Sequence, residues 1–249
     1  MHRPLVCAHR GASGLAPENT LAALRLAREL GVDMVEIDVQ LSADRRPVVI
    51  HDATLERTTD GAGAVAARTL AELRRLDAGA WFAPEFAGER MPTLDEVLDL
   101  AGRGLRLNIE LKPAGDGEEL ADVVVRAVTR RDLAGSCLVT SFDHGLVDRL
   151  AAMCPDIRRG YILPRSWIGG AAAAVAAPVD VISAARELVD DALVASVRRA
   201  GKELHVWTVN ETAGMRRLCA LGVDAVITDH PDRLLALFRD APPPSTGRR

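Results

Sequence analysis

Short apolar, β-branched runs alternate with longer stretches of helical period along almost the whole chain. The runs at 5–9, 34–40, 106–111, 136–141, 158–163, 179–183, 203–209 and 225–228 read as strands. Helical patterns fill most of the intervals, at 20–30, 94–101, 117–131, 144–153, 191–200, 212–221 and after Pro231. In the first of these, Leu21, Leu24, Leu26, Ala27 and Leu30 form one apolar stripe. Gly31, Gly102, Gly201 and Gly222 stand where these helices end. Eight strands each followed by a helix are the signature of an α/β chain folded as a (β/α)8 TIM barrel. A doubly wound sheet is the alternative, but no G-x-G-x-x-G follows a strand and no P-loop is present.

Two segments break the rhythm. After Gln40 a polar turn, Ser42 to Arg46, leads back through Pro47-Val48-Val49-Ile50, a hairpin that delivers His51. Residues 52–92 then form a small insertion after the second strand, ahead of the next helix. Its Trp81, Phe82 and Phe86 are expected to make a small core that holds the insertion to the barrel rim; a lid or membrane-touching surface is the sharper alternative. Residues 1–240 are expected to form one barrel unit, with 241–249 a disordered tail.

Composition narrows the class without deciding the chemistry. The chain has 249 residues, 48% hydrophobic and 27% charged, which is ordinary for a globular protein. A net charge of −4 and the lack of a Lys/Arg-rich run argue against a nucleic-acid partner, so an anionic ligand must be held by local cations. Four scattered cysteines, Cys7, Cys137, Cys154 and Cys219, suggest reduced thiols and a reducing compartment. The start leaves no room for a signal peptide, and no stretch reaches membrane-spanning length, so a cytoplasmic protein without stable membrane insertion is expected. Oligomeric state leaves no mark in the sequence.

Chemistry enters at strand ends. Residues two apart on a strand share a face, so Glu36 and Asp38 project together, as do Glu110 and Lys112, from runs that are otherwise apolar. Taking three carboxylates out of water is costly without compensating cations. One divalent cation with Arg10 and Lys112 overcompensates them by one positive charge, which a monoanionic phosphodiester neutralises. All-oxygen ligation selects Mg²⁺ or Ca²⁺ over zinc, and the small number of protein ligands favours Mg²⁺. His9 and His51 are candidates for acid–base work, with Asp52 placed to orient an imidazole. His2, His144, His205 and His230 are assigned no role; Asn19 reads as a helix N-cap and His230-Pro231 as a loop. The combination points to a metal-dependent phosphodiesterase.

The ordered set His9-Arg10-Gly11, Pro17-Glu18-Asn19-Thr20, Glu36-x-Asp38-Val39-Gln40, Pro47-Val48-Val49-Ile50-His51-Asp52, Arg57-Thr58-Thr59-Asp60-Gly61, Pro92-Thr93-Leu94, Asn108-Ile109-Glu110-Leu111-Lys112, Ser141-Phe142, Trp207-Thr208-Val209-Asn210 and Thr228-Asp229-x-Pro231 resembles the glycerophosphodiester phosphodiesterase family. The resemblance runs from residue 6 to about 238 and implies a barrel with a small insertion after its second strand. It implies Glu36, Asp38 and Glu110 as metal ligands, His9 and His51 as the acid and base, Arg10 and Lys112 on phosphate, and Trp207 against glycerol. The turn reads Asp44-Arg45-Arg46 where that family often has Asp-Gly, beside the strand that leads to His51. The expected reaction is hydrolysis of a small glycerophosphodiester to sn-glycerol 3-phosphate and an alcohol. A lysophospholipase D activity on membrane lysophospholipids and a non-catalytic phosphodiester-binding role are the alternatives.

Overall fold

A computed structural model describes residues 2–102, 104–113, 115 and 117–239; the tail expected to be disordered lies outside the described residues. Eight parallel strands close on themselves: β1 (Leu5–His9), β2 (Met34–Leu41), β4 (Arg106–Leu111), β5 (Cys137–Ser141), β6 (Arg158–Leu163), β7 (Val181–Ala185), β8 (Glu203–Trp207) and β9 (Ala225–Thr228). Pairing of β1 with both β2 and β9 completes the barrel, and β3 (Pro47–Val49) adds antiparallel to the end of β2, outside it. This is the (β/α)8 architecture expected from the alternation.

The helices are α1 (Leu21–Leu30), α2 (Leu70–Leu73), α3 (Leu94–Ala101), α4 (Gly117–Thr129), α5 (His144–Met153), α6 (Gly170–Ala176), α7 (Asp191–Arg199), α8 (Thr212–Leu221) and α9 (Pro231–Ala236). Thr93 opens α3 with a full capping box, its hydroxyl accepting from the Glu96 N–H while Glu96 reaches back to the Thr93 N–H. Gly31 and Gly222 close α1 and α8 in the left-handed conformation, with φ of 79° and 75°. Their positions follow the sequence expectation.

Three details differ from that expectation. The sixth barrel strand, β7, lies two residues later than expected, because Val179 is held in a turn by a hydrogen bond to the Ala177 carbonyl. The helix α6 grows from an alanine run that has no apolar stripe to announce it. The third concerns the insertion. Its buried core is aliphatic, made by Val48, Ile50, Leu55, Val65, Leu73 and Met91, and not by the aromatics. Trp81, Phe82 and Phe86 instead pack edge-to-face on one another, with Trp81 40% exposed.

The main core lies between barrel and helices. Leu24 of α1 and Leu94, Val97 and Leu98 of α3 are fully buried in it. Leu98→Ala is expected to lower stability by about 2–5 kcal/mol, read as a shift of the denaturation midpoint at unchanged m-value. A change below about 0.5 kcal/mol would mean that α3 does not carry this packing.

Candidate active site

The candidate residues meet at the C-terminal mouth of the barrel because β1, β2 and β4 are neighbours. His9 pairs in register with Glu36, and Asp38 with Glu110. Parallel register at successive strands therefore sets the acids side by side. Carboxylate oxygens of Glu36, Asp38 and Glu110 lie within 4.8 Å of one another, all three residues buried.

Two cations flank them. The Lys112 ammonium stands 2.7 Å from Glu110 Oε1 and 3.5 Å from Asp38 Oδ1, and Arg10 Nε is 3.3 Å from Asp38 Oδ2. The Arg10 backbone N–H donates to Glu36 Oε2 at 2.9 Å. Even so, Glu36 Oε1, Asp38 Oδ1 and Glu110 Oε1 are buried and accept no hydrogen bond of good geometry from any described residue; the Lys112 contact to Glu110 is an ion pair without hydrogen-bond alignment. Burial, then repulsion from Asp38 and Glu110, pushes the Glu36 carboxyl well above its ordinary value. Glu110 is pushed up in the same way, by burial and then Asp38, against the pull of Lys112. Asp38 goes the other way: burial opposes ionisation, but Arg10, Lys112, His51 and the Asn19 amide outweigh it. Two cations thus leave three carboxylates short of positive charge, and hard oxygen donors pointing into one space fit a divalent ion.

Both imidazoles are anchored through Nδ1. His9 Nδ1 lies 2.6 Å from Asp229 Oδ1, and His51 Nδ1 lies 2.6 Å from Asp52 Oδ1. A carboxylate only accepts, so each Nδ1 carries the proton and each Nε2 is left to exchange protons in the site. His9 Nε2 is 3.9 Å from Glu36 Oε2. The Gln40 side-chain amide donates to the carbonyls of Ile50, His51 and Asp52, which fixes the strand end that carries His51.

Several residues of this centre carried no role in the sequence reading. Asp229 binds His9 and also accepts from Ser13 Oγ at 3.0 Å and Asn210 Nδ2 at 2.6 Å. Asn19 is not the helix cap; Thr20 caps α1, while Asn19 adopts φ 58° and donates to Asp38 Oδ2 at 2.8 Å. Arg57 of the insertion forks onto Glu18 at 2.7 and 2.8 Å and onto Asp52 at 2.6 and 3.0 Å, and Glu18 also accepts from Arg10 at 2.8 Å. Asn19 and Arg10 both sit in the left-handed region, which few non-glycine residues tolerate without surrounding support. Gly11 follows at φ 83°, where a Cβ would stand 2.7 Å from that of Ala23. His205 is fully buried and pairs with Glu203 at 3.2 Å, away from the acids.

Two cavities open here. A narrow one of about 80 Å³ is bounded by Glu36, Glu110, His51 and Lys112 on one side and by Phe142 and Trp207 on the other. Phe142 and Trp207 pack edge-to-face at 5.7 Å, and the Lys112 ammonium lies 5.7 Å over the Phe142 ring. A wider one of about 630 Å³ shares His9, Arg10, Trp207 and Thr208 with it. Neither is lined by the insertion's three aromatics.

A barrel whose mouth carries three buried carboxylates, two anchored imidazoles and two cations has the groups that hydrolysis of a phosphoric diester needs. Comparison with known proteins agrees. The model of the glycerophosphoryl diester phosphodiesterase family matches residues 9–233, and the chain belongs to that family. A glycerophosphodiester phosphodiesterase of Caldanaerobacter subterraneus is 37% identical over 95% of this chain and 98% of its own length. Among solved structures, a phosphodiesterase from Oleispira antarctica in complex with the product sn-glycerol-3-phosphate has a TM-score of 0.87 and 37% identity, covering 94% of this chain and 96% of that one. A glycerophosphodiester phosphodiesterase from Agrobacterium tumefaciens has a TM-score of 0.81 and 31% identity over 94% of this chain and 99% of its own. The chain is an enzyme of this class, acting on a small molecule, and the family is generally dependent on a divalent cation. Among the described residues, no helix is long and apolar enough to cross a membrane.

Proposed function

We propose that the enzyme hydrolyses glycerophosphodiesters to sn-glycerol 3-phosphate and an alcohol, in the cytoplasm, with His9 and His51 as acid and base. Glu36, Asp38 and Glu110 would hold one divalent cation, Mg²⁺ in preference to Ca²⁺; Arg10 and Lys112 bind the phosphate, and Trp207 packs against glycerol. The observation that carries this reading is the trio of buried carboxylates, each with one oxygen that accepts no hydrogen bond from any described residue, held by only two neighbouring cations. When bound, the ion supplies polarisation of a phosphoryl oxygen. The chain's own groups do the rest. One Nε2 takes the proton of the attacking oxygen, the other protonates the leaving oxygen, and Arg10 and Lys112 stabilise charge that builds on the phosphoryl oxygens.

The test is a panel of glycerophosphodiesters and a lysophosphatidylcholine with Mg²⁺ or Ca²⁺, read by detection of sn-glycerol 3-phosphate and of the released alcohol. Stoichiometric release of that product is expected; turnover of lysophospholipids alone, or no product with any ion, would overturn the assignment.

Asp229 holds the tautomer of His9 and is a positioning residue. Asp229→Asn can accept a proton-bearing Nδ1 poorly and is expected to lower kcat about 100-fold with KM nearly unchanged. A loss confined to stability, with kcat intact in the folded fraction, would assign Asp229 to the scaffold.

A further inference from the structure

The wider cavity is too large and too open to serve only the phosphate, and its charge is unevenly satisfied. Three acids line it, and each is already engaged. Glu18 accepts from Arg10 and Arg57; Asp229 accepts from His9, Ser13 and Asn210; Glu187 accepts from Arg186 Nε at 3.3 Å. Donors are in surplus. Arg165 makes no hydrogen bond and no ion pair within 4 Å with any described residue, and feels Glu187 only at longer range. Arg186 reaches Glu187 and, at 3.4 Å, the Thr208 carbonyl, which leaves its second terminal nitrogen unused. Trp207 is the sole indole or phenyl ring in the lining, so no aromatic cage for a quaternary ammonium is present among the described residues.

We propose that this cavity is the leaving-alcohol subsite and that Arg165 and Arg186 make it select hydroxyl-rich alcohols bearing negative charge over quaternary ammonium alcohols. The proposal rests on the diester hydrolysis argued above. A diester spanning the shared wall of His9, Arg10, Trp207 and Thr208 places its invariant glycerol arm in the narrow cavity, where Phe142 and Trp207 close around it, and its variable arm in the open one. Guanidinium forks match phosphate and carboxylate oxygens in two-point contact and donate readily to hydroxyls. A trimethylammonium group meets only occupied acids there and gains nothing from the free arginine.

The experiment compares three diesters of sn-glycerol 3-phosphate, in which the leaving alcohol is glycerol carrying a terminal phosphate, plain glycerol, or choline. Each is measured for kcat/KM at low and high salt, and for binding by calorimetry to the His51→Ala variant. We expect the phosphorylated glycerol diester to exceed the choline diester by about tenfold or more in both measurements, with the gap closing as salt screens the arginines. In the Arg165→Gln variant, and more so in Arg165→Gln with Arg186→Gln, the ratio between those two substrates falls by about tenfold. Both side chains are exposed, so folding is not at issue. Equal or greater kcat/KM for choline, with a ratio indifferent to either substitution, would overturn the subsite while leaving the hydrolase reading intact. Binding in the expected order without hydrolysis of any diester would support the subsite and overturn the hydrolase reading instead.

Discussion

Replacing either His9 or His51 with alanine is expected to lower kcat by about 10²–10⁴-fold, the range that a positioned proton donor or acceptor contributes. Both imidazoles are part-exposed and supported by single carboxylates, so removing one leaves the barrel core untouched and the circular dichroism spectrum unchanged. The double variant should be little worse than the poorer single one, since the two groups serve one proton-transfer cycle. The pH profile adds a sign. Burial lowers the His51 pKa, Arg10 and Lys112 lower it further, and the raising effects of Asp38 and of the hydrogen bond that His51 donates to Asp52 do not fully offset them. An imidazole with a depressed pKa stays neutral, and so able to accept a proton, to lower pH. The limb of kcat/KM set by His51 should therefore fall below the ordinary histidine value of about 6.5. Full activity in either single variant would remove the paired-imidazole mechanism.

Stripping divalent ions with a chelator is expected to abolish turnover, with recovery on adding Mg²⁺. Glu36, Asp38 and Glu110 can be tested without activity as the readout. Asp38→Asn keeps the amide contact geometry but removes a charge from the cluster, and calorimetric titration with Mg²⁺ should show affinity lost by about 10-fold or more. The same substitution has a stability signature. Asp38 is held below its ordinary value in the folded chain, so its ionised form stabilises the fold above the unfolded carboxylate range, and that contribution fades as pH falls through the folded value. The wild-type chain should thus lose more stability than Asp38→Asn on acidification. Undiminished Mg²⁺ binding by Asp38→Asn, or turnover that survives chelation, would show that the carboxylates serve another purpose.

Much of this centre could be read along the chain because local rules placed it there. A two-residue period puts Glu36 and Asp38 on one face, and β-strands in sequence order put β1, β2 and β4 together, so that candidates from three segments converge. What escaped depends on closure of the ring. Asp229 reaches His9 across 220 residues, only because β9 pairs with β1. Asn19 resembles a helix cap in any window of sequence, and its partnership with Asp38 rests on a left-handed backbone that a linear pattern does not display. Arg57 lies in a segment with few strand or helix signals, and its two carboxylates come from different loops. The rarity of lone exposed aromatics predicts a small core from the rings at 81–86; in the structure the adjacent rings pack on one another, and aliphatic side chains from β3 and the insertion take the buried places.

The fork made by Arg57 has a mechanical consequence. One guanidinium ties Glu18, which steadies Arg10, to Asp52, which steadies His51. Loss of the Arg57 guanidinium would therefore slacken a phosphate-side arm and a proton-transfer arm together. The phosphate side and the proton-transfer side of this centre therefore share one support and are not independent of each other.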